Sequence, residues 1–286
     1  MPLFPFAQFE LPGRVGIADG RYLVRNAKGD DDDVIVVSSV NAPASGSRRR
    51  RRPRAAGSEP EAKQLPASRV TVVRARSFVD ENGAEAWLAG VREDNDARDA
   101  FSAEALALLN RSLHIHRAAT MDPYVNEVSA HTPSATRVGY GDGDRLAAGQ
   151  WTEALDAPPD PGRRRRRIAA LLPQERLAAV LGGRDTVAAC ETLVLRARLD
   201  HDHDRPREAA LQLEPAVQAM LAEIAPGARD DQMEDITALR EASESLLRAR
   251  KQALAGDLNE QAATDVAATL AVCERILRRR RIITQG

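Results

Sequence analysis

A stretch near the end of the chain decides the fold of its second half: residues 231–281 read DQMEDITALREASESLLRARKQALAGDLNEQAATDVAATLAVCERILRRRR. Its apolar side chains recur at the spacing of one face of a helix, and in its second part they follow the four-three-four spacing of a coiled-coil seam. The residues on that seam are Val266, Leu270, Cys273 and Leu277. Gly256 can end a helix in a left-handed turn, and Asp257 with Glu260 resembles a capping box that starts the next one. We therefore predict two long helices that form an antiparallel hairpin.

The remainder of the second half is also predicted to be helical. All ten aromatic residues lie at or before Trp151, and the proline-rich stretch 158–162 can continue neither a helix nor a central strand. Pro206 is placed to begin a helix, since the first-turn amides need no partner, and Asp185 is placed to cap the helix before it. These signals predict a helical domain over residues 163–286.

The first half combines strand and helix patterns. Short runs rich in β-branched residues predict strands, and apolar residues three to four apart predict helices. The predicted strands lie at 20–25, 34–37, 70–73 and 136–140, and the predicted helices lie around 85–88 and over about 102–118. Three or four strands with two helices indicate a small antiparallel-sheet layer, an α+β domain over residues 1–157.

Charge is distributed unevenly along a chain whose formal net charge is only −1. Residues 41–68 carry a net +5, whereas residues 69–160 carry −6 and residues 161–286 carry +2. The first of these segments has too little apolar surface to form a core, so we predict a disordered, arginine-rich insertion at about 41–68. The overall content of 43% hydrophobic residues excludes a wholly disordered chain.

Neither a targeting signal nor a membrane span is predicted. The opening residues 1–6 lack the basic region and the apolar run of a signal peptide. The longest uncharged stretch, 34–47, has 14 residues, short of the roughly 20 that a spanning helix needs. Cys190 and Cys273 are expected to be reduced, buried thiols. The expected location is cytoplasmic, with no membrane partner.

Arginine makes up 38 of the 41 basic residues and is concentrated in runs. Guanidinium groups match phosphate oxygens, so two of these runs are candidates for contacts with nucleic acid. The candidate residues are Arg48, Arg49, Arg50, Arg51, Arg52, Arg163, Arg164, Arg165, Arg166 and Arg167. The sequence pI of about 6.6 and the lack of aromatic stacking residues after Trp151 favour solvated linkers instead. A further run, Arg278–Arg281, places cations favourably at the C-terminus of a helix.

The histidines form two His-x-His pairs, His114 with His116 and His201 with His203. The second pair alternates with aspartates and could offer nitrogen and oxygen ligands to a divalent metal if the loop were extended. On a helix, side chains two residues apart point in different directions, which favours a polar turn between helices. His201 and His203 are therefore candidate metal ligands, with a polar turn as the alternative, and we predict no cofactor.

Motifs for acid–base or nucleophilic catalysis are not found in the sequence. It contains no Gly-x-Ser-x-Gly elbow, no Cys-x-x-Cys and no His-Glu-x-x-His. The glycine-rich stretch 139–144 lacks the lysine of a phosphate-binding loop and indicates a tight turn. Cys190, beside two alanines, is expected to pack rather than react. An enzymatic activity is left open by these observations but receives no support.

Residues 205–216 are similar to the second helix of a tetratricopeptide unit. Ala209 and Ala216 flank Leu213 at about the expected positions, although no 34-residue period recurs. More broadly, the chain resembles the arginine-rich proteins of GC-rich bacteria, a resemblance that implies no function.

These patterns lead to three hypotheses about function. The first is a non-enzymatic cytosolic protein-interaction or scaffolding protein that binds a protein partner, or a second copy, through its helical region. The second is a nucleic-acid-associated protein, whose binding through the arginine runs would weaken steeply between about 50 and 200 mM salt. The third is a metal-dependent enzyme that uses His201 and His203.

Overall fold

The structure, a computed structural model, describes residues 1–25, 32–40, 66–157 and 171–283. The chain divides into two compact units, unit 1 over Met1–Arg166 and unit 2 over Arg167–Gly286. The predicted fold class, α+β followed by a helical region, is confirmed. Most of the predicted insertion at 41–68 lies outside the described residues, but its end is wrong, because Ala67 and Ser68 already belong to a strand.

Unit 1 is built on a six-stranded antiparallel sheet with the strand order β2-β3-β4-β1-β5-β6. The strands are β1 (Leu3–Pro12), β2 (Gly20–Arg25), β3 (Asp32–Val40), β4 (Ala67–Val73), β5 (Ala135–Asp142) and β6 (Glu153–Ala157). Each of the four predicted strands lies within one of these. The prediction of three or four strands was too low, because it missed β1 and β6.

The missed strand β1 lies at the centre of the sheet. Phe6 and Gln8 on one face and Ala7 and Phe9 on the other are each at most 2% exposed. A strand that is buried on both faces shows little alternation of polar and apolar residues, which is the pattern that reveals a strand in a sequence. Pro5 further disguises it, since proline is rare in central strands.

Helices cover the two faces of the sheet unequally. One face carries α1 (Glu81–Glu93) and α2 (Asn95–Thr120), which contain the two predicted helices. The apolar cluster on that face includes Phe9 and Val72 of the sheet with Leu109 and Leu113 of α2. The opposite face is covered in part by the short helix α3 (Gly143–Ala147), whose Leu146 packs with Phe6 and Val73. The rest of this second face forms an apolar groove.

Unit 2 is all helical within the residues that the structure describes. Its α-helices are α4 (Leu171–Leu181), α5 (Ala189–Asp202), α6 (Pro206–Glu223), α7 (Met233–Ala255) and α8 (Glu260–Ile283). Pro206 begins α6 as predicted. Helices α7 and α8 form the predicted antiparallel hairpin, and Asp235 near the start of α7 pairs with Arg279 near the end of α8. Gly256 adopts the predicted left-handed conformation at the end of α7, with φ +96°.

Two predicted helix caps were wrong. Helix α8 begins at Glu260, and the side chain of Asn259, not Asp257, accepts a hydrogen bond from the N–H of Ala262 at 2.8 Å. Helix α5 begins four residues beyond Asp185, which pairs instead with Arg176 of α4 at 3.3 Å. Helix starts shift in this way because several neighbouring side chains can compete to accept the first free amides.

Candidate interaction surfaces

The structure brings few of the predicted site residues together. The candidate nucleic-acid residues Arg48–Arg52 and Arg163–Arg167 lie outside the described residues. In the third arginine run, Arg279 donates a hydrogen bond to Asp235 at 2.9 Å and another to the carbonyl oxygen of Asp231 at 2.7 Å. Arg278 donates to the carbonyl oxygen of Glu274 at 3.2 Å. The Arg279 contacts tie the end of α8 to the start of α7 and the turn before it, whereas the Arg278 bond lies within α8.

The His-x-His pair, His201 and His203, lies in the last turn and at the C-cap of α5, not in an extended loop. His201 lies in the last turn of the helix, and Nδ1 of His203 lies 2.7 Å from the carbonyl oxygen of Leu199. Because a carbonyl oxygen only accepts, this bond requires the proton on Nδ1. No group of three or more His, Cys, Asp or Glu residues suited to a metal is found in the described part of the chain.

Both cysteines are free and buried, as expected from the sequence. Burial raises the pKa of the Cys190 thiol and that of the Cys273 thiol to about 12 each. Because the thiolate is the nucleophilic form, this shift makes both groups poor nucleophiles at neutral pH. The backbone N–H of Cys190 donates to Glu223 at 3.1 Å, and this bond lowers the pKa of that carboxyl.

Unit 2 exposes a set of large apolar side chains in one stretch of the chain, which we call the leucine surface. Its members are Leu177 (56% exposed), Leu181 (78%), Val187 (59%), Leu195 (59%) and Leu199 (41%). They account for five of the eight exposed large hydrophobic residues described in unit 2. Sequence periodicity did not identify this surface, because it depends on which face of α5 the other helices cover.

The two faces of α5 differ sharply. Cys190, Val194 and Ala197 are at most 1% exposed and belong to the core of unit 2, which α5 shares with α6, α7 and α8. Leu195 and Leu199 are one helical turn apart and point away from that core. An amphipathic helix normally places polar residues on its outer face, so two leucines there require an explanation.

Arg176 ties α4 to the start of α5. Its guanidinium donates to Glu191 at 2.6 Å and lies 3.3 Å from Asp185. Glu191 also accepts a hydrogen bond from the N–H of Ala188 at 3.2 Å, directly before α5. Charged contacts of Arg176 therefore join the two helices that carry the leucine surface.

Unit 1 contains an apolar groove of about 430 Å³ on the sheet face opposite α1 and α2. Phe4, Val34, Val36 and Val73 line it from three strands, and α3 borders it through Gly143 and Ala147. At the edge strand β2 it is lined by Leu23, which is 58% exposed, and by Arg21. The volume is in the range of ligand-binding pockets.

Comparisons with known proteins identify no relative of this chain. No protein-family model matches the sequence, and no curated protein and no solved structure shows significant similarity to it. Among the described residues, no helix is both long enough and apolar enough to cross a membrane.

Proposed function

We propose that the chain is a cytoplasmic, non-enzymatic protein-interaction protein that binds a protein partner, or a second copy of itself, through the leucine surface of unit 2. The observation that carries this proposal is the position of Leu195 and Leu199 on the outer face of α5, 59% and 41% exposed, while the inner face lies in the core. Leu195 and Leu199 are adjacent on the helix surface, and contiguous exposed apolar side chains are typical of protein-binding surfaces.

The physical argument is the free energy of burial. Covering exposed leucine side chains removes apolar area from water, which stabilises a complex by about 25 cal/mol per Å². A partner helix that lies along α5 would cover Leu195 and Leu199 together, because they are four residues apart. The two free thiols of unit 2 support a cytoplasmic location, where cysteines stay reduced.

Sedimentation velocity of the full chain tests this proposal first. The double variant Leu195→Glu/Leu199→Glu places two charges on the leucine surface, at positions whose exposure should allow the fold to persist. Its matched control is Leu247→Glu/Leu254→Glu, which alters two leucines of α7 that are 40% and 65% exposed. We expect wild type and control to associate at micromolar concentration and the double variant to be monomeric.

If the wild-type chain sediments as a monomer, capture of partners decides the proposal. The wild-type chain and both double variants are used as bait in nuclease-treated and untreated lysates of the native host. A protein that is retained by wild type and control after nuclease treatment, and lost from Leu195→Glu/Leu199→Glu, supports the leucine surface. A monomeric wild type whose captured proteins are the same for all three baits refutes the proposal, and retention only without nuclease favours the nucleic-acid hypothesis.

A further inference from the structure

The edge strand β2 of unit 1 combines features that suit an added strand. It pairs with β3 on one side and stands at the end of the sheet, so its outer backbone groups face no other strand among the described residues. Such an edge is a template for an extended segment of another chain. An exposed leucine in the middle of β2 adds apolar surface to that template.

Side chains alternate along β2 between the two faces of the sheet. Tyr22 and Val24 pack against the cluster beneath α2, so Arg21, Leu23 and Arg25 lie on the groove face. In the sheet register, Leu23 is opposite Val34, and Val34 is opposite Val73. An apolar row therefore runs from the open edge to the floor of the groove.

Charge at this edge favours an acidic partner. Arg21 is exposed and has no ion pair or side-chain hydrogen bond among the residues that the structure describes. Arg74, the other arginine lining the groove, already pairs with Asp33 at 3.4 Å and with Glu104 at 3.2 Å. The groove thus has one unpaired guanidinium at its open edge.

The same pattern disfavours a second copy of this chain as the occupant. If two β2 strands paired antiparallel about Leu23, Arg21 of each strand would lie opposite Arg25 of the other. Like charges directly opposite each other destabilise a strand pair, whereas opposite charges stabilise it. A second copy in this register therefore offers Arg21 no carboxylate, whereas an extended segment with an acidic residue at that position gives Arg21 a favourable pair.

We propose that β2 binds an extended peptide of a partner protein that carries an apolar residue and, two positions from it, an acidic residue, added as a seventh strand to the sheet of unit 1. The apolar side chain covers Leu23 at the open end of the groove, and the carboxylate faces Arg21. Backbone hydrogen bonds to the outer edge of β2 give affinity, and these two side-chain contacts on the groove face give specificity. This surface is separate from the leucine surface of unit 2 and does not depend on it.

Selection from a randomised nine-residue peptide library displayed on phage tests the proposal with the full chain. Three baits are compared: wild type, Arg21→Glu, and the control Arg111→Glu, which makes the same charge change at an exposed position of α2 on the other side of the sheet. We expect wild type and control to enrich peptides with an acidic residue two positions from an apolar one, and Arg21→Glu to enrich a basic residue at the acidic position. No enrichment with wild type, or the same sequences with all three baits, would overturn the proposal.

Synthetic versions of the enriched peptides test the strand geometry. Leu23→Asp should weaken binding at least tenfold. Two methylated peptides are also compared, one with methyl groups on the odd peptide nitrogens and one with them on the even nitrogens. Only one of the two should lose affinity, because only one set of amides faces β2. Unchanged affinity for both methylated forms would refute strand addition. Dodecanoate serves as a second probe: if it binds in an Arg21-dependent manner and no peptide does, the groove is a site for amphiphiles and the proposal is wrong.

The Leu195→Glu/Leu199→Glu variant separates this proposal from the preceding one. It should select the same peptides as wild type, because its changes lie in unit 2. Loss of selection in this variant would contradict a peptide site in unit 1.

Discussion

Units 1 and 2 build their cores from different side chains. The aromatic residues all belong to unit 1, where Phe6 and Phe9 are buried on opposite faces of the sheet. Trp87 makes a tilted ring contact with Phe78 and a T-shaped one with Phe101. Unit 2 has none of them and packs aliphatic side chains from four helices. Aromatic rings from strands and helices therefore contribute to the core of unit 1, whereas unit 2 specifies its helix packing without them.

In unit 2, the interactions that specify the helix packing include carboxylates buried against arginines. Glu191, Glu214 and Asp235 are each less than 10% exposed. Each accepts a hydrogen bond from an arginine of another helix, at 2.6 to 3.0 Å. A buried carboxylate is costly without such a partner, so these pairs restrict which helix faces can meet. The high arginine content thus has a structural use within the described residues.

The two units can be followed separately in one full-length chain. Both tryptophans, Trp87 and Trp151, lie in unit 1, and both cysteines lie in unit 2. Tryptophan fluorescence therefore reports the unfolding of unit 1, while thiol labelling reports the opening of unit 2.

The largest expected effect concerns thiol reactivity. Because burial raises the pKa of Cys190 and that of Cys273 from 9.0 to about 12, the thiolate population at pH 8 falls about 1000-fold. We expect iodoacetamide to label the native chain at least about 1000-fold more slowly than the chain unfolded in urea. Labelling of the native chain at the unfolded rate, with tryptophan fluorescence unchanged, would show that unit 2 is open while unit 1 is folded.

The next largest effect is expected at Gly139, where β5 meets β6. A Cβ atom at this position would overlap the carbonyl oxygen of Glu153 and would lie 2.7 Å from Cα of Ala154. Gly139→Val should therefore destabilise unit 1 by about 3 kcal/mol, as overpacking against backbone does. The measurement is the urea midpoint of tryptophan fluorescence.

Gly90→Ala is the matched control for this glycine substitution. A Cβ on Gly90, within α1, meets nothing within 4 Å. Alanine there should be neutral or stabilise unit 1 by up to about 1 kcal/mol, because glycine is unfavourable inside a helix. Equal loss of stability in both variants would contradict the close approach of β5 and β6.

The contrast between these two glycines also shows what sequence can and cannot predict. The hairpin of α7 and α8 was predictable, since its apolar periodicity and Gly256 are local signals. The requirement for glycine at position 139 was not, because it arises from β6, which was itself missed. The groove was unpredictable for the same reason. Phe4, Leu23 and Val73 lie on different strands, and the pairing and register of β1 to β4 are needed to know that they share one face.

A smaller effect is expected when a buried acid of unit 2 is neutralised. The side chain of Asp235 is 8% exposed and pairs with Arg275 and Arg279, which are 46% and 42% exposed. Breaking a fully buried pair costs about 3–5 kcal/mol, and the partial exposure of the arginines reduces this to about 2 kcal/mol for Asp235→Asn. The readout is the urea midpoint of thiol labelling.

Glu244→Gln provides the control for this charge change. Glu244 pairs with Arg248 at 3.6 Å on the surface of α7, with side chains 88% and 66% exposed. Its loss should cost less than about 0.5 kcal/mol, as for exposed helix pairs. If the two substitutions destabilise unit 2 equally, burial of the Asp235 carboxylate does not contribute to the stability of unit 2 beyond what an exposed pair contributes.

The smallest effect is a pH dependence confined to unit 2. Hydrogen bonds from the N–H groups of Cys190 and Ala189 lower the pKa of Glu223 below its ordinary value of 4.5. A carboxyl with a depressed folded-state pKa stabilises the fold above its unfolded value, and this contribution is lost as the pH falls through the folded value. Glu223→Gln should therefore destabilise unit 2 at pH 6 and have progressively less effect as the pH falls towards 3, as measured by the urea midpoint of labelling pulses with 4,4′-dithiodipyridine, which reacts with exposed thiols in acid as well. The tryptophan transition of the same samples should not differ between wild type and variant. A difference there would mean that the loss of one carboxylate in unit 2 is felt in unit 1, so that the two units do not unfold independently.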